Sequence, residues 1–119
     1  MLKRRKILVT TGTRAEYGIF RPVLEKIEMS KKLDLLLVVT GTHNSKKYGM
    51  TINEIKKDGF KISKIIKILP KSDTLYSTTQ SLGEGIISFS KVFKKLKPDI
   101  NLILGDRDEM LASAISAYH

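Results

Sequence analysis

The sequence contains no cysteine and no tryptophan, only three prolines, and aromatic residues make up just 7% of it. The lack of cysteine excludes disulfides, zinc–thiolate centres and thiol nucleophiles. His43 and His119 are the only histidines and lack metal-ligand spacing to each other. Apolar runs are short, and none approaches the ~18 residues that would span a bilayer. The basic start Lys3-Arg4-Arg5-Lys6 leads into a brief apolar run ending at Thr10-Thr11. That is too short for a secretory signal, so the soluble cytoplasm is the expected compartment. Acidic residues are also scarce, 12 against 22 lysines and arginines, which leaves a net charge of +10. The lysines are spread through the chain without interleaved aromatics, as in Lys31-Lys32, Lys56-Lys57 and Lys94-Lys95. A solvated lysine-rich surface is the expected reading, and nucleic acid is not an expected partner. A chain of 119 residues with 41% hydrophobic content has material for one core and not for two.

What the sequence does carry is an alternation of short apolar runs with helical periodicities. Lys6 to Thr10 reads as a buried parallel strand. Thr13-Arg14-Ala15-Glu16 then has capping-box spacing, and Phe20, Val23, Leu24 and Ile27 recur at helical intervals. Pro22 removes a backbone donor inside that helix and predicts a kink or a fresh start near Arg21. Leu33 to Thr40 is a second strand, closed by the turn-forming run Gly41-Thr42-His43-Asn44. Ile52 and Ile55 support a short helix that stops at Asp58-Gly59. A third strand lies within Phe60 to Leu69, and Pro70 ends it. From Thr74 to Leu96 the positions Leu75, Leu82, Ile86, Phe89, Phe93 and Leu96 build one helical face, with Gly83 and Gly85 weakening its middle. Ile100 to Leu104 is a fourth strand, and a further helix runs to Tyr118. The expected fold is therefore α/β, a doubly wound parallel sheet with right-handed crossovers. A strand, loop and helix call for a following strand, so the chain reads as the amino-terminal piece of a longer protein.

Ligands bind at the carboxyl edge of such a sheet. Three glycine-led turns gather there: Gly12-Thr13-Arg14, Gly41-Thr42-His43 and Gly105-Asp106-Arg107. The first has the form of an anion site made by free amides at a helix start, with Arg14 as a bidentate clamp; equally, Gly12 makes only the turn and Arg14 is solvated. Asp106 reads either as a general base or as a helix cap, since Asp106 and Glu109 also have capping-box spacing. Asp108 and Glu109 suit the positive end of a helix dipole. Arg107 is either a pocket cation or a partner for these acids, and His43, Tyr17 and Tyr48 are open to both a binding and a bland role. The known nucleotide signatures are absent. Gly12 to Gly18 is not G-x-G-x-x-G, there is no Gly-Lys-Ser/Thr, and Thr40 stands where a dinucleotide site wants an acid.

Taken together, Gly12-Thr13-Arg14-Ala15-Glu16-Tyr17-Gly18 with Arg21-Pro22, Thr40-Gly41-Thr42-His43 with Tyr48-Gly49, Lys97-Pro98-Asp99, and Gly105-Asp106-Arg107-Asp108-Glu109-Met110-Leu111-Ala112 resemble the hydrolysing UDP-N-acetylglucosamine 2-epimerases of sialic and legionaminic acid biosynthesis. The resemblance implies a GT-B-type pair of Rossmann-like domains, of which residues 1–119 form most of the first. It also implies a UDP-sugar substrate, no metal or redox cofactor, and a dimer or larger assembly when the chain is full length. Carried over by position, Asp106 is the catalytic aspartate and Arg14 the nucleotide-contacting arginine. His43 is a pocket histidine, and Gly12, Thr13 and Arg107 complete the substrate-binding set. Half of the cleft lies outside residues 1–119, so this segment alone is expected to be inactive. Two other readings stand beside it, half of a GT-B glycosyltransferase and a non-catalytic anion-binding module.

Overall fold

The computed structural model describes residues 3–40, 51–66, 74–105 and 107–119. Its order is β1 (Arg5–Thr11), α1 (Arg14–Met29), β2 (Leu33–Thr40), α2 (Ile52–Lys57), β3 (Ile62–Ile66), α3 (Leu75–Leu96), β4 (Ile100–Leu102) and α4 (Asp108–Tyr118). The four strands form one sheet in the order β3-β2-β1-β4, and every pair is parallel. From β1 the chain steps outward to β2 and β3, then returns to place β4 on the other side of β1. The winding direction therefore reverses between β1 and β4, and the crevice at their carboxyl ends is the topological switch point.

The alternation of side chains along the strands builds two separate cores. Ile7, Val9, Leu37 and Val39 face α1 and α2, where they meet Tyr17, Phe20, Leu24, Ile27, Ile52 and Ile55. Leu8 and Val38 face the other way, onto Phe89 and Val92 of α3 and Ala112 of α4. The central strands β1 and β2 are thus covered on both faces, which is why they read as continuous apolar runs. Phe60 closes the first core edge-on to Tyr17, with ring centroids 6.3 Å apart. The doubly wound α/β class expected from the sequence is the observed one.

Two local expectations are corrected. Helix α1 runs without a break from Arg14 to Met29 with Pro22 inside it. Pro22 is exposed, and the carbonyl that loses its donor belongs to Gly18, also exposed, so solvent can satisfy it. Strand β4 is shorter than expected and ends at Leu102. Ile103 and Leu104 continue toward the turn outside the ladder, with Leu104 still packed against the first core. At α4 the N-cap position is Arg107, with no side-chain cap hydrogen bond; Asp106, read as either a base or a cap, lies outside the described residues.

Candidate functional site

Thr13 has extended backbone and caps α1: its hydroxyl accepts from the Glu16 amide at 3.2 Å, and the Glu16 carboxylate accepts from the Thr13 amide at 3.0 Å. The same oxygen, Oε1, also accepts from the Gly12 amide at 2.9 Å. Glu16 is buried, with 7% of its surface exposed, so these are charge-assisted bonds in a poorly solvated place. An anion site and a plain turn were both open readings at this turn. The Gly12 and Thr13 amides are already held by the chain's own carboxylate.

The second glycine-led turn arrives at the same carboxylate. A Cβ placed on Gly105 would lie 3.4 Å from Glu16 Oε2, and one placed on Gly12 would lie 3.1 Å from Glu16 Oε1 and 3.5 Å from the Glu109 side chain. Gly105 has φ of +90°, a conformation that side-chain-bearing residues rarely adopt. Glycine is needed here both for that angle and for the close approach.

Glu109 is 2% exposed, and its charge is met by Arg107, whose Nε donates to Oε2 at 3.1 Å and whose Nη2 donates to Oε1 at 3.4 Å. Partial burial of the Arg107 guanidinium works against its charge. The hydrogen bond and field of Glu109 more than offset this, Glu16 and Asp108 add to it, and the Arg107 pKa lies above the ordinary arginine value. Two buried carboxylates and one arginine thus join the ends of β1 and β4 at the switch point.

Of the residues expected to act, the structure brings together Gly12, Thr13 and Arg107. Arg14 begins α1 on the rim, 78% exposed, and pairs with Glu54 of α2 at 3.5 Å. His43 and Asp106 lie outside the described residues. The sequence reading missed Glu16 as more than a cap; its capping-box spacing gave the bond to Thr13 but could not show the bonds across to Gly12 and the contact with Gly105. It also missed a second polar knot, in which the Tyr17 hydroxyl donates to Asp58 Oδ2 and Arg21 Nη2 lies 3.5 Å from Asp58 Oδ1. Burial and the Asp58 carboxylate together raise the Tyr17 pKa well above that of an ordinary tyrosine. Among the described residues no group of three or more histidine, aspartate or glutamate side chains has metal-binding geometry. A groove of about 380 Å³ between β3 and α3 shares no residue with these turns. No helix among the described residues is long and apolar enough to cross a membrane.

The family model described as UDP-N-acetylglucosamine 2-epimerase matches residues 25–119. The chain belongs to that family. It is 45% identical over 115 residues to the UDP-N,N'-diacetylbacillosamine 2-epimerase (hydrolyzing) of Legionella pneumophila, covering 97% of this chain and 30% of that protein. It is 42% identical to the GDP/UDP-N,N'-diacetylbacillosamine 2-epimerase (hydrolyzing) of Campylobacter jejuni, over 95% of this chain and 29% of that one. The UDP-N-acetylglucosamine 2-epimerase of Neisseria meningitidis is 34% identical, over 92% and 28%. The chain therefore spans about 30% of the length of the curated relatives it matches. A crystal structure of a UDP-N-acetylglucosamine 2-epimerase superposes with a TM-score of 0.82 at 23% identity, covering 98% of this chain and 31% of that one. The Neisseria meningitidis enzyme bound to UDP-GlcNAc superposes with a TM-score of 0.75 at 23% identity, covering 95% and 29%. At such identities the likeness is one of fold.

Proposed function

We propose that the full-length protein is a hydrolysing UDP-sugar 2-epimerase acting on UDP-N,N'-diacetylbacillosamine in the cytoplasm, with residues 1–119 supplying most of the first of two Rossmann-like domains. What carries the reading is the meeting of the Gly12 and Gly105 turns around Glu16 at the switch point. This occurs in a chain that is 45% and 42% identical to two hydrolysing 2-epimerases named for that sugar. In the proposed reaction a base removes the proton at C2 as UDP leaves C1, giving a glycal. Water then adds to C1 while a proton returns to the opposite face of C2, and the products are UDP and the free 2-epimeric sugar. No metal or redox cofactor enters these steps.

Asp106 is the proposed base, set in sequence between Gly105 and Arg107. A carbon-bound proton is weakly acidic, so the carboxylate has to be close and the departing diphosphate has to be stabilised by cations or amides. Arg14, exposed on the rim and paired there with Glu54, is the proposed diphosphate contact, exchanging that carboxylate for the substrate's phosphates. His43 is assigned to the same pocket. Arg107 is 46% exposed and keeps part of its guanidinium free of Glu109, which suits it to a substrate oxygen. The 34% identity to an enzyme named for UDP-N-acetylglucosamine favours that sugar as a second reading.

The test is to supply the full-length protein with each UDP-sugar and no acceptor, following UDP and free sugar. Release of both products, faster from the diacetamido sugar, supports the proposal; acceptor-dependent UDP release points to a glycosyltransferase, and no release to a binding module. Asp106→Asn is expected to lower turnover by about 100-fold or more. Unchanged turnover would remove Asp106 from the role of base.

A further inference from the structure

The cavity of about 380 Å³ between β3 and α3 has the form of a trough. One wall is made by four consecutive residues of β3, Ser63 to Ile66. Consecutive strand residues point to opposite faces, so a cavity that touches all four runs along the edge of the strand and not over one face. The other wall is Ser88, Lys91, Val92, Lys95 and Leu96, whose spacing of three and four makes one stripe of α3. The two walls match in length, roughly 12–13 Å each from the rise per residue of strand and helix.

Strand β3 is the outer strand of the sheet and pairs only with β2. Alternate residues of a strand turn their amides and carbonyls to opposite sides, so those turned outward have no strand to join. The order β3-β2-β1-β4 is that of a doubly wound sheet, in which later strands add beyond β4 and leave β3 at the rim. The floor of the trough is apolar, with Ile66 and Val92 buried and Leu96 partly so. Its rim is cationic. Lys64, Lys91 and Lys95 are exposed, none of them has an ion-pair partner among the described residues, and no described carboxylate lines the trough.

These charges decide what can lie there. A second copy pairing edge to edge would bring lysine against lysine, and edge lysines, together with the bulge at Ser63, which has no partner on β2, are devices by which sheet edges resist self-pairing. A segment carrying aspartate or glutamate meets the opposite condition, with three ammonium groups above an apolar floor. A groove between a strand edge and a helix is also the geometry in which an extended peptide adds to a sheet. We propose that this trough receives an acidic, extended segment of a partner protein, laid along β3 as a further strand. Its apolar residues rest on Ile66 and Val92, and its carboxylates turn to Lys64, Lys91 and Lys95. The proposal is independent of the epimerase reading, because binding tests it and turnover does not.

The probe is a short, blocked, fluorescent peptide of alternating glutamate and valine, titrated into the full-length protein and followed by anisotropy, with amide exchange reporting where it lies. Saturable binding is expected, with the outward amides among residues 63–66 exchanging about tenfold slower. Lys64→Glu combined with Lys91→Glu is expected to weaken binding by about tenfold or more, since each change replaces attraction by repulsion. Both side chains are exposed, so the thermal midpoint should hold. Lys26→Ala, on α1, should leave the affinity unchanged. Strand addition requires main-chain hydrogen bonds, so N-methylation of every second peptide residue should abolish binding in one of its two settings. A peptide of alternating lysine and valine should not bind. Absence of binding at millimolar peptide, equal binding of the lysine peptide, binding without protection of residues 63–66, or indifference to N-methylation in both settings, the mark of a simple anion site, would each overturn the proposal.

Discussion

Replacing Glu16 by glutamine tests the joint between the two turns while hardly changing its shape. The carboxylate accepts from the Gly12 amide at 2.9 Å and from the Thr13 amide at 3.0 Å, in a site with 7% exposure. A hydrogen bond to a charged group contributes about 1.5–3 kcal/mol and one between neutral groups about 0.5–1.5 kcal/mol. Glutamine keeps the acceptor and loses the charge, so each bond weakens by about 1 kcal/mol and the pair by about 2 kcal/mol. Loss of the Glu16 charge also removes part of the field that holds Arg107 cationic, but Glu109 remains to bind it. Amide hydrogen exchange by mass spectrometry or NMR reads this locally. If opening of the turn limits exchange, the Gly12 and Thr13 amides of Glu16→Gln should exchange about 30-fold faster, by the equivalence of 1.4 kcal/mol with a factor of ten. Amides in the middle of β2 should be unchanged. Equal exchange at Gly12 and Thr13 in the two proteins would refute the claim that this carboxylate holds the β1 turn.

Three further outcomes are expected. The Thr10 hydroxyl is fully buried and has no hydrogen-bond partner among the described residues, so Thr10→Val, which keeps the shape, should stabilise the protein by about 1 kcal/mol in denaturant unfolding; a clear loss of stability would show that the hydroxyl is satisfied. Gly105→Ala forces a side chain into φ of +90° and to within 3.4 Å of Glu16, and should cost about 1–2 kcal/mol by the same measurement; a neutral result would contradict the close approach. The folded-state pKa of Tyr17 is raised, so its contribution is fully present below the ordinary tyrosine pKa of 10.0 and is lost as pH rises beyond it; Tyr17→Phe should flatten the fall of stability above that pH, and an unchanged alkaline slope would deny the shift.

The fold was legible because the strands in the middle of the sheet are covered on both faces. Leu33 to Thr40 reads as an apolar run for the same reason that Leu37, Val38 and Val39 are all fully buried. Glycine at position 59 gave the stop of α2 because its φ of +90° disfavours any side chain there. The misreadings arose where local rules met tertiary context. Pro22 sits on the solvent side of α1, so its missing bond costs little there. Glu109 has capping-box spacing to Asp106, but a buried carboxylate needs a cation, and Arg107 two residues away meets that need.

The candidate site was legible as chain segments and not as contacts. Spacing identified the turns at Gly12 and Gly105, and the parallel-sheet rule put both at the carboxyl edge. The order β3-β2-β1-β4, which makes them neighbours, depends on which strand returns beside β1. Nothing local in residues 100–105 encodes that choice. The contact between Glu16 and Gly105 spans the switch point, and no periodicity within either segment carries it.

The most direct measurement is to run the full-length protein in D2O with UDP-N,N'-diacetylbacillosamine and examine the released sugar by NMR and mass spectrometry. The proposed elimination and readdition require free sugar inverted at C2, carrying one solvent deuteron on that carbon, with UDP released in equal amount and no acceptor present. Free sugar that keeps its original C2 proton and configuration would contradict the account.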